Sequence, residues 1–177
     1  MPAVLPTDHL AVGLQLPVQS KSTSFAQPWE AEAGVAELAA VARAADASGF
    51  WYVAVCDHVG VPRDHAVAMG TEWWDTVATL GWLAGVTERV RLVSHVLVAA
   101  YRHPLAVAKA WSTLDVLSGG RAVLGVGAGH VEAEFEVLGA PFATRGRDLD
   151  EAIDALRVAF AEEYPAVEGR RWSFRCV

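Results

Sequence analysis

The chain has 177 residues, 53% of them hydrophobic and 20% charged, and its fourteen basic and twenty-one acidic side chains leave a net charge of −7. A chain of this length suits one domain, here residues 1–177, able to bury roughly 70% of the surface that its unfolded form exposes. The acidic balance and the lack of a basic cluster exclude a nucleic-acid footprint, and no apolar run approaches membrane-spanning length.

The N-terminal MPAVLPTDHLAVGLQLPV has no basic start, and prolines and Asp8 interrupt its apolar run, so it does not read as a signal peptide. His9 to Leu16 reads as a first strand. After a Ser/Thr/Gln-rich loop, a helix is expected from Trp29 to Ala47, with Val35, Leu38, Ala39, Ala42 and Ala45 as its apolar stripe and Gly49 as its stop. Trp51 to Cys56 is a buried strand, and Asp57-His58 opens a loop that runs to Glu72. A second helix carries Val77, Leu80 and Leu83.

Val90 to Ala99 is a third strand whose near-continuous hydrophobicity fits a parallel strand covered on both faces, although His95 interrupts it. Pro104 starts a helix through Val107, Trp111, Leu114 and Leu117, ended by Ser118-Gly119-Gly120. Ala122 to Val126 is the fourth strand and a polar loop follows, in which Glu132, Glu134 and Glu136 are expected to be mostly solvated. A fourth helix starts near Gly146, and the tail from Tyr164 is read as irregular. Four strands alternating with four helices imply an α/β fold with a parallel sheet and right-handed crossovers. Cys56 and Cys176 point to reduced thiols and hence to the cytoplasm.

Polar residues directly after buried strands lie at the ligand-binding end of a parallel α/β fold. Asp57-His58 is one such pair: His58 can carry a proton near neutral pH, or Asp57 can cap the loop and leave His58 solvated. His95 either meets a cavity or is a core histidine satisfied by backbone. Gly125-Val126-Gly127-Ala128-Gly129-His130 lacks the third glycine and the following helix of a dinucleotide fingerprint. Its glycines serve either a turn packed against neighbours or the close approach of a flat ligand. Asp57, His58, His95, His130 and Glu132 could together bind zinc or iron, but none falls in a short ligand motif. Trp51 and Trp73-Trp74 read as core or interface aromatics.

FWYVAVCDH at 50–58, RVRLVSHVLVAAYRHPLAVAKAWSTLDVLSGGR at 89–121 and LGVGAGHVEAEFEVLGAPFATRGRDLDEAI at 124–153 together resemble the bacterial luciferase-like monooxygenase family, in particular its coenzyme F420-dependent branch. The resemblance implies a TIM-barrel type (β/α)8 fold, of which four βα units make about half. It implies an oxidoreductase that exchanges hydride with coenzyme F420 or, in FMN-using relatives, activates oxygen on reduced flavin. Asp57 and His58 then line the ring and substrate pocket, with His58 exchanging a proton. His95-Val96 matches the bulge behind the ring, often a cis peptide, and Gly127, Ala128 and Gly129 match the turn on the cofactor. His130 and Pro62 depart from residues that many relatives carry. A small-molecule substrate is implied. Half a barrel leaves exposed strand edges, which points either to a truncated enzyme or to a homodimer whose edges meet. A non-catalytic binding module of the same fold is the alternative function, and a metal-dependent hydrolase the third.

Overall fold

In the computed structural model, which describes residues 5–176, largely apolar segments form the strands β1 (Gly13–Gln15), β2 (Tyr52–Val55), β3 (Arg91–Ser94), β4 (Leu97–Val98), β5 (Ala122–Val123) and β6 (Val126–Gly127). The reading of the N-terminus rests partly on residues 1–4, which lie outside the described residues. The parallel sheet runs β1–β2–β3–β5, with Gly13 beside Tyr52, Tyr52 beside Arg91 and Leu92 beside Ala122. Val53, Ala54 and Val55 are all fully buried although they alternate in facing direction. Both faces of β2 are therefore covered, as in parallel sheets generally.

The last two strands of the parallel arrangement are each broken in the middle. After β3 the chain bulges at His95-Val96, whose peptide bond is cis, and resumes as β4; after β5 it bulges at Leu124-Gly125 and resumes as β6 beside β4. Ser94 bridges the gap: its hydroxyl donates to the Gly125 carbonyl at 2.8 Å and accepts from the Gly125 amide at 3.0 Å. The single strands expected at 90–99 and 122–126 are thus each two, because this side chain replaces the ladder at the bulge.

The helices α1 (Val35–Ala47), α2 (Ala66–Met69), α3 (Thr76–Val86), α4 (Pro104–Ser118), α5 (Glu132–Val137) and α6 (Arg145–Ala161) fill the connections. Leu38 and Ala42 of α1, Leu80 and Leu83 of α3, and Trp111 and Leu114 of α4 close one core with Val53, Val55 and Leu92. Each such large side chain contributes about 1.5–3 kcal/mol by leaving water. Arg121 locks the end of α3: its guanidinium donates to the Ala84, Thr87 and Val90 carbonyls at 2.9–3.1 Å. Gly119, at φ +69°, takes the left-handed conformation that ends α4.

Three local expectations are corrected. The helix expected from Trp29 is a 3-10 turn (Pro28–Ala31) followed by a break before α1, because Gly34 is extended and its amide donates to Glu37 rather than continuing a helix. The acidic loop after β6 contains α5. The tail is an antiparallel hairpin, β7 (Ala166–Glu168) with β8 (Ser173–Arg175). Glu151 of α6 holds it by accepting the Arg171 and Trp172 amides at 2.7 and 2.8 Å, and buried Asp148 pairs with Arg170 and Arg171. Both cysteines are free thiols. Among the described residues no helix is long and apolar enough to cross a membrane.

Candidate functional site

The C-terminal ends of β1, β2, β4 and β6 converge on a cavity of about 580 Å³, within the usual size range of small-molecule sites. All eight candidate residues line it: Asp57 and His58 after β2, His95 and Val96 at the bulge, and Gly127, Ala128, Gly129 and His130 at and after the end of β6. A second cavity of similar volume lies at the opposite strand ends, beside Arg89, Arg91 and Arg121. None of the candidate residues lines that second cavity.

Asp57 is buried and its carboxylate is fully engaged. Arg102 meets it with two N–H groups at 2.7 and 2.8 Å, the Val98 amide donates to it at 2.9 Å, and the Thr76 hydroxyl lies 3.2 Å away. Such a bidentate, charge-assisted pair fixes geometry as well as contributing energy. Asp57 therefore ties the end of β2 to the segment after β4 and holds the next residue, His58, in place.

His58 is mostly buried between aromatic rings, 4.4 Å from the Trp73 ring centre and 5.8 Å from that of exposed His130. Its Nδ1 lies 3.0 Å from Glu134 Oε2. Glu134, on α5, is 1% exposed, which corrects the expectation that it is solvated. Its carboxylate also accepts from the Val59 amide at 2.6 Å, the Gly60 amide at 3.0 Å and the Tyr101 hydroxyl at 3.1 Å. Burial alone would raise the Glu134 carboxyl, but the hydrogen bonds from His58, Gly60 and Val59, with the charge of His58, hold it at about 2. Burial, and then the negative charge of Glu134, push the Tyr101 phenol up.

Opposite His58, Gln15 links two further groups: its amide donates to Cys56 Sγ at 3.0 Å and its oxygen accepts from His95 Nδ1 at 3.3 Å. The glycines are explained by packing. A Cβ on Gly125 would overlap the Ser94 carbonyl, and one on Gly127 would overlap the Val96 side chain. Gly129 combines φ +79° with Phe135 and Val98 at 2.8 and 2.9 Å from where its Cβ would stand. The result is a wall with few side chains between Val96 and His130, where a flat ligand can lie close. Trp73, read from the sequence as a core or interface residue, lines the cavity, and its indole nitrogen is buried without a hydrogen-bond partner. The lining contains neither lysine nor arginine.

Sequence reasoning missed Glu134, Tyr101, Arg102, Gln15 and Cys56 as parts of this site. Among the described residues, His58, His95, His130, Asp57 and Glu132 do not gather as a metal-binding group. The carboxylate of Asp57 is committed to Arg102 instead.

A profile of the luciferase-like monooxygenase family matches residues 14–176. An uncharacterized protein of Mycobacterium tuberculosis is 32% identical over 143 residues, covering 74% of this chain and 51% of its own length. The chain thus spans about half the length of the curated relatives it matches. The crystal structure of the monooxygenase RslO1 from Streptomyces bottropensis superposes with a TM-score of 0.76 at 26% identity, over 94% of this chain and 48% of that one. The 5,10-methylenetetrahydromethanopterin reductase of Methanopyrus kandleri is 35% identical over 106 residues, 60% of this chain and 27% of its own. The structure of the coenzyme F420-dependent tetrahydromethanopterin reductase from that organism gives a TM-score of 0.66 at 23% identity, over 94% of this chain and 44% of that one.

Proposed function

The chain belongs to the luciferase-like monooxygenase family, and on that premise we propose that its strand-end cavity holds the tricyclic ring of coenzyme F420, with FMN as the alternative. The observation that carries this reading is the convergence of His58, His95, Val96 and the Gly127–His130 segment on one cavity. When bound, F420 supplies hydride exchange with a small-molecule substrate, whereas reduced FMN supplies oxygen activation. The protein's own contribution is orientation, exclusion of water and proton transfer. Val96 and the Gly127–Gly129 backbone offer a flat wall, Trp73 and Phe25 shield the ring, and His58 gives or takes a proton through Nε2, which bonds to no group among the described residues.

The residues present fit a planar ring, while the lining offers no cation for an anionic tail. The second reading is a binding module of the same fold that does not turn over. Titration of the purified protein with F420 and with FMN, followed by absorbance and fluorescence, tests the proposal. A perturbed ring spectrum with saturation is expected for one of them, and no change at high micromolar concentration of either overturns it. Substrate turnover then separates the enzyme from the module.

A homodimer in the cytoplasm completes the proposal. Among the described residues β1 and β5 each have one hydrogen-bonded neighbour, so each presents an open edge that a strand of a second copy can satisfy. Sedimentation at twice 18.9 kDa is expected, and a monomer at high concentration overturns the pairing.

A further inference from the structure

We propose that Glu134 is the positioning residue that sets the tautomer of His58, keeping the ring proton on Nδ1 and leaving Nε2 as a free acceptor. The inference rests on reading His58 as the proton-transferring group, but it concerns the protein without any cofactor.

Hydrogen-bond valence at the carboxylate decides where the ring proton lies. An ionised carboxylate only accepts, and its two oxygens offer about four sites. At Glu134 all four meet donors or a ring nitrogen: the Val59 and Gly60 amides on Oε1, and Tyr101 and His58 Nδ1 on Oε2. The group stays ionised through neutral pH because the Val59 and Gly60 amides donate to it whatever the charge of His58, and its carboxyl is held below the ordinary 4.5. It has no proton to give, so the hydrogen between it and His58 belongs to the imidazole. In a neutral imidazole with Nδ1 protonated, Nε2 carries the lone pair. The backbone amides prevent rotation of the carboxylate, and Phe135, fully buried beside it, anchors the short helix.

The same geometry makes Glu134→Gln an inverting substitution. The two amides, 2.6 and 3.0 Å from Oε1, retain the oxygen of the new side chain, so its NH2 must occupy the other position. A donor there requires His58 Nδ1 to accept, which moves the ring proton to Nε2. Tyr101 must turn its hydroxyl to accept as well. The side chain keeps its shape while the reactive nitrogen changes from acceptor to donor.

The test is a long-range 1H–15N correlation spectrum of histidine-labelled, cofactor-free protein at alkaline pH, with the His58 signals assigned by their loss in His58→Gln. The wild type should show the Nδ1–H form, Tyr101→Phe should keep it, and Glu134→Gln should show the Nε2–H form with amide dispersion retained. A wild-type ring in the Nε2–H or doubly protonated form overturns the proposal. So does a folded Glu134→Gln protein still in the Nδ1–H form, or a Tyr101→Phe protein that inverts. If Glu134→Gln does not fold, the wild-type and Tyr101→Phe spectra decide. Failure of F420 and FMN to bind would overturn the proposed function and leave these spectra unchanged, so the two failures are distinguishable.

Discussion

Arg102 and Asp57, 45 residues apart in sequence, meet through two parallel N–H···O bonds of 2.7 and 2.8 Å. The Asp57 side chain is 3% exposed and that of Arg102 25%, so the pair is largely desolvated. Removing the guanidinium strands a buried carboxylate, which typically costs 3–5 kcal/mol. Arg102→Ala should therefore lower stability by about that amount, seen as a lower urea midpoint at unchanged slope. Arg102→Lys should recover only part of it, because an ammonium cannot make the paired contact. A loss below about 1 kcal/mol in Arg102→Ala would mean that water reaches Asp57 in the native state.

Glu134 makes stability depend on acid in a definite direction. Its carboxyl falls from the ordinary 4.5 to about 2 on folding. A lowered folded-state value contributes stability that is complete above about 4.5 and is lost as pH falls toward 2, on the order of 3 kcal/mol. Asp46 adds to the same window: burial would raise it, but the Glu88, Val90 and Arg89 amides and the charge of Arg89 hold it below its usual value. Urea unfolding from neutral pH down to about 2 should show a shallower acid decline in Glu134→Gln than in wild type. Parallel declines would remove Glu134 as a source.

Hydropathy made the sheet and its long helices legible, because strands buried on both faces and helices with one apolar stripe leave distinct patterns in Val53–Val55 and in Leu38, Ala39 and Ala42. The strand ends then located His58, His95 and Gly127 at one end of the sheet. Hydropathy is blind to the bulges, which depend on one hydroxyl, Ser94, bonding to Gly125. It also misreads Glu134: alternating glutamates look solvated, whereas the groups that satisfy this one, Val59 and Gly60, lie 75 and 74 residues away. The break before α1 is equally hidden, since extended Gly34 caps the start of α1, its amide donating to Glu37, without changing the apolar stripe. The hairpin formed by β7 and β8 was missed because its strands are three residues long and are held by Glu151 of α6.

The contact between Gly127 and Val96 gives a test of the cavity wall. A methyl group on Gly127 overlaps Val96 Cγ2, so Gly127→Ala should lose about 1–3 kcal/mol by overpacking. Adding Val96→Ala should restore most of that loss, because it removes the opposing methyl groups. Gly129→Ala should not be rescued in this way, since its φ of +79° disfavours any side chain and Phe135 also stands in the way. Thermal denaturation of the two single variants at the glycines and of the Gly127→Ala/Val96→Ala double variant measures this. Equal losses in Gly127→Ala with and without the Val96 change would show that the two side chains do not collide.

Cys56 reports on the occupancy of the cavity without relying on a ring spectrum. Burial first, and then the charge of Asp57, push its thiol up, while hydrogen bonds from Gln19 and Ser20 and its own amide oppose the shift. The thiolate is the reactive form, so alkylation by iodoacetamide at neutral pH should be slower than for an unburied thiol and should accelerate as pH rises. Cys56 lines the same cavity as His58, His95 and Gly127. A bound ring should therefore protect it by a factor of 1 + [L]/Kd, roughly tenfold at ten times Kd, with the modified peptide identified by mass and Cys176 as the internal control. Unchanged Cys56 labelling at a ligand concentration that saturates the spectral titration would place the ring elsewhere on the protein.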